Sequence, residues 1–392
     1  MSNVIVSFTR TPIGSFLGSL SSLSSPNLGA ACIEGLIKKI NLDANSITQV
    51  IMGNVLPAGT GQAPARQASI FAGLPNSVHS LTINKMCGSG LESIMIADQL
   101  IKNDPEQIII AGGMESMTNA PYLSKNNRDG ARIGHVKVYD HMFLDGLEDA
   151  YDEGRLMGSF AEDCARNYQF TRIQQDEYAI RSLENALNAQ KNSFFEHEIT
   201  PVKVKNKNKE EILITEDQQP KRSNALKIPK LKPAFLSDGT VTAANSSSIS
   251  DGAAALLISS EKYAQGKNLK IKARIKGYAG HAHDPGWFTT APIPATNKLL
   301  ESLNWSADEV DLWEVNEAFA VVPMAFMKEL KIPREKINVN GGACSLGHPI
   351  GASGARILVS LINSLSLRGL KKGVAAICIG GGEALAIAIE VD

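Results

Sequence analysis

One local pattern occurs twice in this chain, and that repetition limits the fold more than any other feature. In the first copy a turn, Cys87-Gly88-Ser89-Gly90, opens a helix over Leu91 to Ile101, and a strand follows that ends in Gly112-Gly113-Met114-Glu115. In the second copy Gly347-His348-Pro349 opens a helix over Ala355 to Leu365, and the strand Val374 to Ile379 runs into Gly380-Gly381-Gly382-Glu383. Two copies of one α/β unit are the economical reading. Both strands are apolar throughout, as buried strands are, and both end in glycines. A site at the strand ends is therefore expected, where α/β sheets bind ligands.

The remaining segments agree with α/β layers. Strand patterns recur at Val4 to Phe8, Gln49 to Gly53 and Leu81 to Asn84, and Asn27 to Ile40 reads as a helix with Leu28, Ala31, Cys32, Leu36 and Ile37 on its apolar face. The middle, Asn119 to Asn245, is more polar and reads as an inserted loop domain with a helix at Gln174 to Gln190. Its run from Lys203 to Glu211 reads as a solvated hairpin, because like-charge runs face water. A net charge of −1 supplies no field for nucleic acid. No apolar run approaches the ~18 residues of a membrane span. The five cysteines lack a zinc spacing and suit free thiols in a reducing compartment, while the N-terminus from Met1 to Phe8 shows no leader pattern. A cytoplasmic protein is expected.

Three residues stand out chemically. Cys87 lies between a strand and a helix start, where free amides and the helix dipole favour thiolate, and Gly88 and Gly90 leave room for a substrate beside it. A lone cysteine is more often a buried hydrophobe, but the flanking glycines favour a nucleophile. His348 is a candidate acid or base in a Gly-walled loop, and Cys378 a second thiol at a strand end. Nucleophile, imidazole and a second thiol to move a carbon-bound proton are the roles Claisen chemistry needs. Cys344 reads as structural. In Asn316-Glu317-Ala318-Phe319, Asn316 taken alone reads as a helix cap. His281-Ala282-His283-Asp284 reads as a surface turn, and no metal site is expected.

Taken in order, Asn84 to Gly90, Gly112 to Met117, Asn316 to Phe319, the block Gly341 to Arg356 and Cys378 to Gly382 resemble the thiolase family over nearly the full length. The resemblance implies two similar βαβαβαββ halves in a five-layer α/β/α/β/α fold with an inserted loop domain. The divisions are 1–118, 119–249, a return at 250–270, and 271–392. It implies Cys87 as the acyl-accepting nucleophile, His348 as its base, Asn316 as holder of a water, Cys378 as the group that moves the α-proton, and the amides of Cys87 and Gly380 as an oxyanion hole. A homotetramer is implied too.

For coenzyme A, the resemblance points to Ser247, with Phe235, Ala243, Phe288, Ala318 and Phe319 along the pantetheine channel. The chain departs from the family pattern at Leu156, where many short-chain members carry histidine, at Ala244 and Ser248 in place of glycines, and at Pro220 in place of arginine. Lys221, Arg222 or Lys227 is expected to supply the missing cation. Met157 and Phe288 argue for a short acyl pocket. The expected reaction is the reversible condensation of two acetyl-CoA to acetoacetyl-CoA and CoA, both CoA species being substrates and no cofactor being needed. The alternatives are cleavage of longer 3-ketoacyl-CoA thioesters, and a non-catalytic carrier of CoA or lipid.

Overall fold

The fold is given by a computed structural model that describes residues 3–205 and 208–392. Nine strands form the frame: β1 (Asn3–Arg10), β2 (Gln49–Gly53), β3 (His79–Ile83), β4 (Ile108–Ser116), β5 (Ser250–Ser260), β6 (Ala273–Ala282), β7 (Leu312–Val315), β8 (Lys372–Ile379) and β9 (Glu383–Glu390). The main helices are α1 (Ser25–Ile40), α2 (Pro64–Phe71), α3 (Ser89–Asn103), α4 (Met157–Tyr168), α5 (Arg172–Lys191), α6 (Pro292–Leu303), α7 (Val321–Leu330) and α8 (Ile350–Arg368).

The repeat is visible in the strand order. From its outer edge the first half runs β3-β2-β4-β5-β1 and the second runs β7-β8-β9-β6, and the halves join where Val4 and Ile5 of β1 pair with Arg274 and Ala273 of β6. In each half a parallel pair leads into antiparallel neighbours, with β2 beside β4 matched by β7 beside β8. The second half lacks the counterpart of β3, whose place is marked by a single parallel bridge between Trp313 and Ile337.

Five layers follow from which face each strand residue covers. In β4, Ile109 and Ala111 enter the central core while Ile108 and Ile110 face α1 and α2. In β8, Ala375, Ile377 and Ile379 enter the same central core while Val374, Ala376 and Cys378 face the layer of α6 and α7. This period-two split is what a strand buried on both faces requires. Helices α3 and α8 lie together between the halves, so the first turn of each meets near the middle of the molecule.

Several sequence boundaries move. The strand expected at Leu81 to Asn84 ends at Ile83, because Asn84 is spent on the following turn, where its Oδ1 accepts from the Met86 N–H at 2.9 Å. Helix α8 begins at Ile350, five residues before the expected Ala355, and is buried from Ile350 through Leu365. It is long and apolar enough to cross a membrane by length and composition, which the residue pattern did not suggest, yet it is the core helix of this fold. Helix α5 starts two residues earlier than expected, at Arg172, through the capping box of Thr171 and Gln174. The lysine-rich hairpin pairs Val202–Lys205 with Glu211–Ile214; Val202 and Val204 are buried under it, and its Asn206 and Lys207 lie outside the described residues.

Candidate active site

Cys87 sits on a tight strand-to-helix turn. Met86 takes a left-handed conformation (φ 48°), a position where a non-glycine residue is uncommon. Ser89 staples the turn: its Oγ accepts from the Lys85 N–H at 2.8 Å and donates to the Met86 carbonyl at 2.7 Å. The thiol is therefore held at the amino end of α3, where the backbone N–H groups of Gly380 and of Cys87 itself favour its ionised form. Those two amides are the pair expected to form an oxyanion hole.

His348 follows Gly347, whose φ of 111° favours glycine, and its backbone N–H donates to the Ser248 carbonyl at 3.1 Å. The ring is enclosed. Its Nδ1 lies 2.6 Å from Ser353 Oγ, and its Nε2 lies 3.5 Å from Asn316 Nδ2. Asn316 is fully buried, and its Oδ1 has no hydrogen-bond partner among the described residues. The capping reading of Asn316 is thus overturned, since α7 starts only at Val321 with Ala320 as its cap.

Cys378 comes from the face of β8 that looks toward α6 and α7. Cys87, His348, Cys378 and Gly380 line one cavity of about 60 Å³ with Met157, Ser247, Phe288, Ala318 and Phe319. Met86, Gly146, Leu147 and Ile350 complete the wall. The two halves of the repeat thus contribute one reactive end each, the nucleophile from the turn before α3 and the imidazole from the loop before α8.

Electrostatics correct one expectation. Burial pushes the Cys87 thiol up to about 11, with the Glu115 carboxylate adding to the rise, and the two amide donors do not offset it. Burial also holds His348 down to about 3, helped by the Arg356 charge, and burial raises the Cys378 thiol well above its ordinary range. Desolvation outweighs the helix end here, so the resting site holds a neutral thiol beside a neutral imidazole.

The glycines also have a different reason from the one the sequence suggested. A Cβ on Gly354 would lie 2.5 Å from Leu91 N, one on Gly90 2.7 Å from Ala355 N, and one on Gly351 2.6 Å from Glu115 Oε2. Gly88 faces Ile379, and Gly342 faces the Glu317 carboxylate. These glycines let protein pack on protein. Gly380 differs, because a Cβ there would meet only Met157 Sδ, at 3.5 Å.

Five of the expected coenzyme A contacts reach this cavity: Met157, Ser247, Phe288, Ala318 and Phe319. Phe235 stands behind, its ring edge-on to Phe319 at 6.0 Å. Leu156 lies outside the lining as the residue before α4, where its carbonyl accepts from the N–H and hydroxyl of Ser159. Ala243 lines a separate cavity of about 240 Å³ together with Ala244, Lys227, Ser223 and Asn224. Of the three cations, only Lys227 belongs to that cavity; Lys221 is paired with Glu216, and Arg222 is outside the lining. The turn expected at His281 to Asp284 starts later, since β6 runs through His281 to Ala282, and the His281 ring meets His283 edge to face at 5.1 Å.

Two buried carboxylates escaped the sequence reading. Glu115 accepts from Asn54 Nδ2 (2.6 Å), Leu56 N (3.1 Å), Val55 N (2.9 Å) and Gly351 N (2.9 Å), pinning the start of α8 to the first half. Glu317 accepts from Tyr178, Ser182, Asn338 and the Cys344 N–H, which fastens α5 to the second half. Cys344 is buried there with its sulfur 3.6 Å from the Glu317 carbonyl, a structural place as expected. A charged side chain in an otherwise apolar stretch was the signal available for both, with glycines alongside it at Glu115.

Comparison with known proteins gives two family matches, the thiolase N-terminal domain over residues 3–262 and the thiolase C-terminal domain over residues 269–391. The chain is 47% identical over 389 residues to acetyl-CoA acetyltransferase 2 of Arabidopsis thaliana, covering 99% of this chain and 96% of that protein. It is 45% identical over 390 residues to an acetyl-CoA acetyltransferase of Pseudomonas aeruginosa, covering 99% of each. Among solved structures, a Bacillus anthracis acetyl-CoA acetyltransferase superposes with a TM-score of 0.96 at 39% identity, covering 100% of this chain and 99% of that one. A thiolase from Ascaris suum in complex with coenzyme A gives 0.94 at 42% identity, covering all of both chains.

Proposed function

The chain belongs to the thiolase family, and on that premise we propose that it is an acetyl-CoA C-acetyltransferase, joining two acetyl-CoA into acetoacetyl-CoA and CoA by a reversible ping-pong route. The observation that carries this reading is the small shared cavity, where two thiols and an imidazole meet behind Met157, Leu147, Phe288 and Phe319. Bulky walls that close suit a two-carbon acyl group.

His348 takes the Cys87 proton as the sulfur attacks the thioester carbonyl, and passes it to the departing CoA sulfur. Because both groups rest neutral, this transfer accompanies attack. A water held by Asn316, whose orphaned Oδ1 accepts one of its protons, gives the other to the thioester oxygen, and His348 polarises the same oxygen once its Nε2 carries a proton. Cys378 yields its thiol proton to His348 and as thiolate removes the α-proton of the second acetyl-CoA, the carbanion attacks acetyl-Cys87, and His348 returns its proton to the departing Cys87 sulfur. The Cys87 and Gly380 amides hold the oxyanion.

Coenzyme A enters past Ser247, Ala318 and Phe319, and its nucleotide end lies over the larger cavity, with Lys227 supplying the cation. The complex of the Ascaris suum relative with coenzyme A supports an acyl-CoA ligand. We place the working form as a homotetramer in the cytoplasm. The exposed Leu81 on edge strand β3 and the exposed Ile133 and Val138 suit subunit contacts, and five free cysteines suit a reducing compartment. Initial rates of thiolytic cleavage test the chain-length reading: acetoacetyl-CoA should be cleaved faster than longer 3-ketoacyl-CoA substrates. Faster cleavage of the longer ones would replace it with a degradative thiolase.

A further inference from the structure

Ser353 is fully buried one turn into α8, and its hydroxyl meets two groups: His348 Nδ1 at 2.6 Å and the Pro349 carbonyl at 3.0 Å. The helix does not need that hydroxyl. The Pro349 carbonyl already accepts from the backbone N–H groups of Ala352 (2.9 Å) and Ser353 (3.0 Å). What the hydroxyl does fix is the imidazole. A serine proton given to the Pro349 carbonyl leaves Oγ as an acceptor, which calls for a proton on Nδ1 and a lone pair on Nε2.

The other end of the ring agrees. Asn316 places its amide nitrogen toward Nε2 at 3.5 Å, a donor facing a lone pair. Nε2 is the only ring nitrogen left to work, because Nδ1 is occupied by Ser353. An imidazole with the opposite tautomer would carry a proton on Nε2 and could accept none from a thiol.

We propose that Ser353 is a positioning residue that holds His348 in its Nδ1–H tautomer, so that Nε2 stays free to take the Cys87 proton. This rests on the reading of His348 as the base. Ser353 touches no reacting atom and acts only through the ring.

The test is single-turnover acetylation of Cys87 by acetyl-CoA, measured with the full chain for wild type, Ser353→Ala, Ser353→Thr, His348→Ala and the double variant His348→Ala/Ser353→Ala, with the KM for CoA measured alongside in thiolysis. Ser353→Ala should slow acetylation by about tenfold to a hundredfold, the range typical of losing a histidine's orienting partner. Its KM should stay within about twofold, since the ring and not the CoA channel is disturbed. Ser353→Thr, which keeps the hydroxyl, should recover most of the rate. In the His348→Ala background the serine change should add nothing. Wild-type acetylation by Ser353→Ala overturns the proposal, as does an equal loss with and without His348. A wild-type rate for His348→Ala would instead bring down the base assignment on which the proposal stands. Should Ser353→Ala not fold, Ser353→Cys keeps the shape with a weak acceptor; slow Cys with normal Thr supports the proposal, and normal rates in both overturn it.

Discussion

Replacing Gly354 with alanine tests the claim that the glycines of the histidine block exist to bring two helices together. The added Cβ would sit 2.5 Å from Leu91 N and 2.9 Å from Leu91 Cβ, about 0.9 Å short of the 3.4 Å at which ordinary contact begins. The nearest obstacle is backbone of α3, so no rotamer change relieves it, and α3 and α8 must separate. Overpacking of this kind costs about 1–3 kcal/mol, and the backbone obstacle places it in the upper half of that range. Alanine in a helix returns at most about 1 kcal/mol relative to glycine. The net is a loss of about 1–2 kcal/mol, which for a chain of 392 residues lowers a thermal midpoint by roughly 1–2.5 °C. Differential scanning fluorimetry reads the shift, with Gly380→Ala as the control: its Cβ would meet only Met157 Sδ at 3.5 Å. Gly380→Ala should melt with the wild type while turning over more slowly, because the new methyl stands at the cavity wall beside an oxyanion donor. A Gly354→Ala protein that melts at or above the wild-type midpoint would refute the reasoning.

Two further outcomes follow from the buried groups. With the Cys87 thiol raised to about 11 and His348 lowered to about 3, the free enzyme carries no thiolate–imidazolium pair at neutral pH. Alkylation of Cys87 by iodoacetamide should therefore climb about tenfold per pH unit between pH 7 and 9, following the thiolate fraction below the thiol pKa; a rate already level at pH 7 would show an ion pair instead. Glu115→Gln leaves two of four buried N–H donors facing an amide nitrogen, whichever oxygen is replaced, and should cost about 1–3 kcal/mol in urea unfolding. Unchanged stability would mean that the start of α8 is held by packing alone.

What could be read from residues was what depends on local pattern. The buried strands β2, β4 and β8 announce themselves as apolar runs, and the repeat of turn, helix and strand placed Cys87 and His348 in equivalent positions of two halves. What could not be read depends on contacts between distant segments. Gly90 and Gly354 look like room for a ligand until α3 and α8 are seen to cross there. Asn316 looks like a cap until α7 is found to begin five residues later, leaving its side chain for His348. The helix end at Cys87 argues for thiolate, but only the packing around the thiol shows that desolvation prevails. Leu156 was placed by family position, yet the residue beside it, Met157, is the one that reaches the wall.

The central claim is that Cys87 carries the acetyl group, and mass spectrometry of the chain after brief incubation with acetyl-CoA tests it most directly. The account predicts one added acetyl group, located on the peptide containing Cys87, removed by CoA, and absent from Cys87→Ala, which should also lose turnover. An acetyl group found on another residue, or a Cys87→Ala variant with full turnover, would contradict it.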